Sequence, residues 1–259
     1  MTGRIHRFDA LDNFRDYGDY ATAAGRRIAP GRLFRSGHQA RASAADLDRL
    51  GALALATVVD LRRPSERRAQ PSRRPTGFSA TVIESDHDDG GEAPHMTFLK
   101  TAELTPDSGR RFMTGTYRQL AFEPSHIDLF ARYFRALDES DGPVLIHCAA
   151  GKDRTGLLAA LTHHLLGAHP DDILADYLLT NTAVDLEGRA PGVARQLEAR
   201  TGRPVADDAV VAFLGVEPVY LETAFSEIAA LYGSTDGYLE RALGVDSGRR
   251  DRIGARLTA

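Results

Sequence analysis

The stretch from Pro143 to Gly156, PVLIHCAAGKDRTG, limits what this chain can fold into more than any other segment. Val144, Leu145 and Ile146 make a short apolar run of the kind found in buried strands, and it empties into His147 and Cys148. Thr155 and Gly156 then open an apolar helical pattern through Leu157, Leu158, Leu161 and Leu165. Strand, tight loop and helix in this order build an anion site. Between Cys148 and Arg154 the loop can curl so that the amides of Ala149, Ala150, Gly151 and Lys152 point inward, while the helix N-terminus adds partial positive charge at the same point. That setting favours a thiolate at Cys148 and a phosphate dianion in front of it.

Arg154 closes the loop, and its planar fork grips two equatorial phosphoryl oxygens in a way that a Lys cannot. The chemistry that fits is attack of Cys148 on phosphorus, stabilisation of the spreading charge by Arg154 and the loop amides, and hydrolysis of the cysteinyl-phosphate by water. Thr155 is placed to donate its hydroxyl to the sulfur. Only two of the 32 basic residues are Lys, so an Arg six places after a Cys is a weak signal alone. A single Cys is more often a buried structural residue. The joint pattern of strand, His147, Gly151, Thr155-Gly156 and helix is what points to catalysis. A Walker A loop does not fit, because Asp153 follows Lys152 and no Gly stands five residues before Gly151.

The motif HCAAGKDRTG resembles the signature of the cysteine-dependent protein tyrosine phosphatases, in the bacterial, mycobacterial protein tyrosine phosphatase B-like form that acts on tyrosine, serine and phosphoinositide phosphates. Asn13-Phe14-Arg15-Asp16, Leu33-Phe34-Arg35-Ser36, Val58-Val59-Asp60-Leu61-Arg62, Tyr232-Gly233-Ser234 and Tyr238-Leu239 agree with it, so the resemblance spans nearly the whole chain. It implies a phosphomonoesterase with no metal or other cofactor, acting on a phosphorylated protein or a phosphoinositide. A phosphoinositide or inositol-phosphate phosphatase is the first alternative, with Lys152 as the cation for a second phosphate. A catalytically inactive phosphate-binding module is the other. The resemblance also implies a general acid about thirty residues before the nucleophile, yet Thr116 to Gln119 contains none. Asp153, beside Arg154 in the loop, is the favoured acid; Asp86 or Asp88 reaching in from a strand-end loop is the alternative. Arg15, Asp16 and His147 are candidates for supporting the loop from behind.

A chain of 259 residues with 42% hydrophobic content supports a real core, and residues 1–259 read as one phosphatase domain. The net charge of -4 argues against a nucleic-acid binder. One Cys allows no internal disulfide, which suits a reducing compartment. With no signal-like apolar region and no run near the ~18 residues of a membrane helix, the expected location is the cytoplasm.

Strands alternating with helices predict an α/β fold with a central, mostly parallel sheet flanked by helices. Residues 1 to about 20 read as a pinned loop, with Arg15 and Asp16 as an ion pair. Two short strands are expected between Arg26 and Ser36, then a helix capped by Ser43 and a buried strand from Ala54 to Leu61. RRPSERRAQPSRRP, residues 62 to 75, reads as a solvated loop or a basic lip that draws in anionic substrates. A further strand runs from Ala80 to Glu84; its Asp86-His87-Asp88-Asp89 end reads as hydrated, not as a metal site. Helices are predicted over 107–121, 124–138, from Pro170, and over 218–232. Residues 181–215 are the least regular segment; the resemblance implies a helical lid there, and an ordinary peripheral helix pair is the alternative. The Arg- and Asp-rich tail reads as frayed.

Overall fold

A computed structural model of the chain describes residues 4–87 and 94–259. Its strands are β1 (Arg15–Asp16), β2 (Leu33–Ser36), β3 (Thr57–Asp60), β4 (Thr81–Ile83) and β5 (Val144–His147). The helices are α1 (Ala44–Ala52), α2 (Pro64–Ala69), α3 (Pro94–Thr101), α4 (Pro106–Leu120), α5 (Pro124–Glu139), α6 (Asp153–Leu165), α7 (Pro170–Ala183), α8 (Leu186–Thr201), α9 (Asp207–Leu214), α10 (Pro218–Tyr232), α11 (Thr235–Arg241) and α12 (Ser247–Leu257).

The sheet has the order β1-β2-β5-β3-β4, with β1 antiparallel and the other pairings parallel. Its central strands β2, β5 and β3 are buried along their whole length, as a sheet covered on both sides requires. Leu33, Val59, Val144 and Ile146 enter the larger core, while Phe34, Val58 and Leu145 pack on the other face with Leu11, Phe14 and Leu50. Register puts Ser36, His147 and Asp60 side by side at the carboxyl ends of β2, β5 and β3. A loop leaving the central strand therefore emerges between two neighbours that can brace it, where open α/β sheets bind ligands.

Several elements differ from expectation. Only one strand forms between Arg26 and Ser36; Arg27 and Ile28 make isolated bridges instead. Ser43 caps α1 as expected, with Asp46 closing a capping box. Residues 62–75 are not a plain solvated loop, because Pro64 and Glu66 start α2. Residues 181–215 are mostly helical, in the end of α7 and in α8 and α9. The tail is not frayed: Ile253 and Leu257 are buried, Arg249 and Arg252 bind Asp138 of α5, and Ala29 donates to Leu257. Asp207–Tyr232 has the length and mean hydropathy, 1.3, of a membrane span, but half of that window is buried and Gly215 separates α9 from α10.

Candidate active site

The loop after β5 is shaped from outside by its carbonyls. Ala149 O accepts from the His38 amide at 3.1 Å. Asn13 Nδ2 donates to Ala150 O at 3.3 Å and to Gly151 O at 2.7 Å, and Arg35 Nη2 donates to Gly151 O at 3.0 Å. With the carbonyls turned outward, the amides from Ala149 to Arg154 find no acceptor among the described residues, which is the arrangement of an anion nest. Gly151 makes the turn possible. Its φ is +66°, and a Cβ there would lie 2.4 Å from the Ser36 carbonyl, so no side chain fits.

Two arginines and one carboxylate lie beneath the loop. Arg15 and Arg35, both fully buried, share Asp176 of α7 at 3.3 and 2.8 Å. Arg15 also donates to Asn13 Oδ1 and to Thr180 Oγ1, so the residue that holds the loop carbonyls is itself held. Burial would raise Asp176, but Arg15 and Arg35 hold its carboxyl well below the usual range. Burial and the like charge of Arg35 bring Arg15 down to about 10. The trio thus carries one excess positive charge behind the amides. The expected Arg15–Asp16 pair is not formed: β1 sends alternate side chains to opposite sides, and Asp16 accepts from the Gly18 and Gly31 amides instead. His147 is fully buried, with Nε2 3.6 Å from Asp60 Oδ2 and no hydrogen bond to it, and burial pushes its imidazole down to about 4.

Cys148 is buried and free, and α6 begins at Asp153, two residues before the expected Thr155. Arg154 therefore sits in the first turn of α6. Glu66 of α2 meets the end of its guanidinium: Nη1 donates to Oε2 at 2.6 Å and Nη2 to Oε1 at 2.9 Å, and Nη1 also donates to Leu61 O at 3.0 Å. That uses three of five donors. The remaining Nε–H and second Nη2–H lie parallel on one edge of the plane, the edge that fits two phosphoryl oxygens. Burial would raise Glu66, but the hydrogen bonds and charge of Arg154 hold it at about 2. Conversely, burial would lower Arg154, but the Glu66 hydrogen bonds and negative charge at Cys148 push it above its ordinary value.

Glu66 was not singled out by the sequence, since it lies in an arginine-rich run 88 positions before its partner. Its one local signal is helical: Pro64 at the first position and Glu66 at the third, with its carboxylate accepting the Arg63 amide at 2.8 Å.

Asp153 Oδ1 accepts from the Tyr117 hydroxyl at 2.9 Å and lies 3.6 Å from Lys152 Nζ. Lys152 is buried, and its Nζ donates to Phe213 O at the end of α9 at 3.0 Å, so it does not stand free for a second phosphate. Thr155 Oγ1 is buried without a hydrogen-bond partner; the expected bond to sulfur is not present. Asp86 is exposed and bound to Arg67 at 2.8 Å. Asp88 lies outside the described residues. Of the basic run, Arg62 is committed to Asp60, Arg63 to Glu123 and Arg67 to Glu84 and Asp86.

A model of the tyrosine phosphatase family matches residues 6–259. The chain is 38% identical over 242 residues, 92% of it and 84% of the relative, to a Cupriavidus necator protein that carries a tyrosine-protein phosphatase name. It is 34% identical over 258 residues, 89% of it and 91% of the relative, to the triple specificity protein phosphatase PtpB of Mycobacterium tuberculosis. The P. aeruginosa TpbA crystal structure covers 76% of the chain, and the chain 98% of TpbA, at 18% identity and a TM-score of 0.32.

Proposed function

The chain belongs to the tyrosine phosphatase family, and on that premise we propose a phosphomonoesterase that hydrolyses phosphotyrosine, with phosphoserine and phosphothreonine, through a cysteinyl-phosphate. The observation that carries this reading is the combination of an outward-anchored loop with an Arg154 that Glu66 holds by one edge, leaving the other for phosphate. The phosphoryl group sits in the amide nest, and its charge meets the excess cation from Arg15 and Arg35. Cys148 Sγ forms a bond to phosphorus as the bond to the leaving oxygen breaks, and Asp153 gives that oxygen its proton. Asp153 then takes a proton from the water that cleaves the S–P bond, and the thiolate leaves with phosphate. Arg154 and the amides bind the equatorial oxygens throughout, most strongly where charge spreads in the transition state.

The relative named for triple specificity supports a broad substrate range, and a phosphoinositide is the alternative substrate. Lys152 would have to exchange Phe213 O for a second phosphate to serve that role, which ties it to movement of α9. We further propose α8–α9 as a cover over the site within one phosphatase domain. Its supports are the Lys152–Phe213 bond and the 2.8 Å contact of Arg189 in α8 with Asp12. A free Cys148 and the net charge of -4 favour a cytoplasmic enzyme with no nucleic-acid partner.

The test is a kcat/KM comparison of phosphotyrosine, phosphoserine and phosphothreonine peptides with mono- and polyphosphoinositides, alongside Cys148→Ser. Turnover should be highest on a phosphopeptide and absent in Cys148→Ser, which should still bind the phosphoester. Hydrolysis at the wild-type rate by Cys148→Ser overturns the covalent mechanism. No hydrolysis of any ester, including an activated aryl phosphate, leaves an inactive binding module.

A further inference from the structure

The four residues Thr116 to Gln119, where an acid is expected and none occurs, contain Tyr117, and its hydroxyl reaches the loop acid. We propose that Tyr117 is the positioning residue for Asp153, an inference that rests on Asp153 being the general acid. Tyr117 is fully buried on α4, and its hydroxyl donates to Asp153 Oδ1 at 2.9 Å. Tyr177 on α7, also buried, donates to the Tyr117 oxygen at 2.8 Å. A phenol has one proton to give. Since Tyr177 supplies the bond into Tyr117, Tyr117's own proton is committed to the carboxylate, and the chain of donors runs one way, from α7 through α4 to the loop.

The consequence lies in which carboxyl oxygen carries the catalytic proton. Oδ1 already faces a hydroxyl donor and, at 3.6 Å, the Lys152 ammonium, so it cannot also present a proton. Oδ2 has no hydrogen-bond partner among the described residues and is the oxygen left to protonate a leaving group. The terminal torsion of an Asp side chain is broad, and Asp153 stands in the first turn of α6, where the backbone alone does not choose between its oxygens. Tyr117 makes that choice. It is rigid enough to do so, edge-on to Tyr177 at 6.2 Å and tilted against Tyr220 at 5.7 Å. Burial and the nearby charge of Asp153 also raise its phenol well above the ordinary value, so it stays a donor whatever the state of its partner. A donor on Oδ1 bonds the carboxylate more strongly than the acid, which favours release of the proton from Oδ2.

The experiment measures kcat/KM, which reports ester cleavage and not the later hydrolysis of the shared cysteinyl-phosphate, for Tyr117→Phe, Tyr177→Phe, Asp153→Asn and the Tyr117→Phe/Asp153→Asn double variant on two aryl phosphates. One has an unactivated phenol as leaving group, and the other a nitro-activated phenol that needs no protonation. Tyr117→Phe should slow the unactivated ester roughly ten-fold, the loss typical of a bond to a charged group, and leave the activated ester near wild type. Tyr177→Phe should show the same signature more weakly, and the double variant should be no slower than Asp153→Asn. Equal slowing of both esters by Tyr117→Phe makes it a packing residue and overturns the inference, as does no slowing of either. Those outcomes leave the reading of Asp153 standing if Asp153→Asn itself slows only the unactivated ester. If Asp153→Asn slows both alike, the acid lies elsewhere, and the reading and the inference fall together.

Discussion

Replacing Glu66 by Gln asks whether the orientation of Arg154, beyond its charge, limits turnover. Gln keeps the volume and one carbonyl oxygen, but its amide nitrogen meets a guanidinium N–H where an oxygen accepted before, so one of the bonds at 2.6 and 2.9 Å becomes a donor–donor contact. Breaking a fully buried pair costs ~3–5 kcal/mol. Glu66 and Arg154 keep 21% and 17% side-chain exposure, so solvent screening lowers this to about 2 kcal/mol, in the range of one charge-assisted hydrogen bond. At ~1.4 kcal/mol per factor of ten, that is roughly a 30-fold fall in kcat/KM. The assay uses an activated aryl phosphate, which removes the general acid from the measurement, with a thermal unfolding curve to show that α2 remains in place. Adding Glu66→Gln to Arg154→Lys should cost little further, because both changes spoil the same fork. A folded Glu66→Gln enzyme with kcat/KM within about two-fold of wild type would falsify this account of Arg154.

Gly151→Ala should reduce kcat/KM on the same ester by roughly 100-fold, the usual cost of a displacement near one ångström at a reacting centre. Its Cβ would fall 2.4 Å from the Ser36 carbonyl, so the loop must move off Asn13 and Arg35; wild-type kinetics in the variant exclude that fit. Stability should rise with pH between about 4 and 6.5. His147 is neutral when folded down to about 4, whereas the unfolded chain takes up the proton below 6.5. At ~1.4 kcal/mol per pH unit, about 3 kcal/mol is fully present above 6.5 and lost as pH falls to about 4. Denaturant titrations at several pH values should show a flatter slope for His147→Gln, and an unchanged slope assigns the acid sensitivity to other groups.

The parts legible in the sequence are those whose cause is local. The two-sided apolar strand Val144–Ile146, the Ser43 cap, Pro124 opening a helix and the loop from Cys148 to Arg154 each declare themselves within a few residues. What was missed depends on partners far along the chain. Arg15 beside Asp16 reads as a pair until a strand turns the two apart and brings Asp176 from 161 positions away. Glu66 is one acid among arginines until α2 turns it toward Arg154. The tail looks solvated by composition because its two anchors, Ile253 and Leu257, are one helical turn apart among many charges.

The outward bonds of the phosphate loop also say when the site can exist during folding. Asn13 and Arg35 come 138 and 116 positions before Gly151, and the Asp176 that steadies Arg35 comes later than the loop itself. Parallel pairing of β2 with β5 closes all the chain between them, an entropically costly and therefore slow step. Until that closure, Cys148 to Arg154 is a loop without its braces. Anion affinity and phosphatase activity should thus emerge together and late in refolding, after helical turns, whose own hydrogen bonds span only four residues.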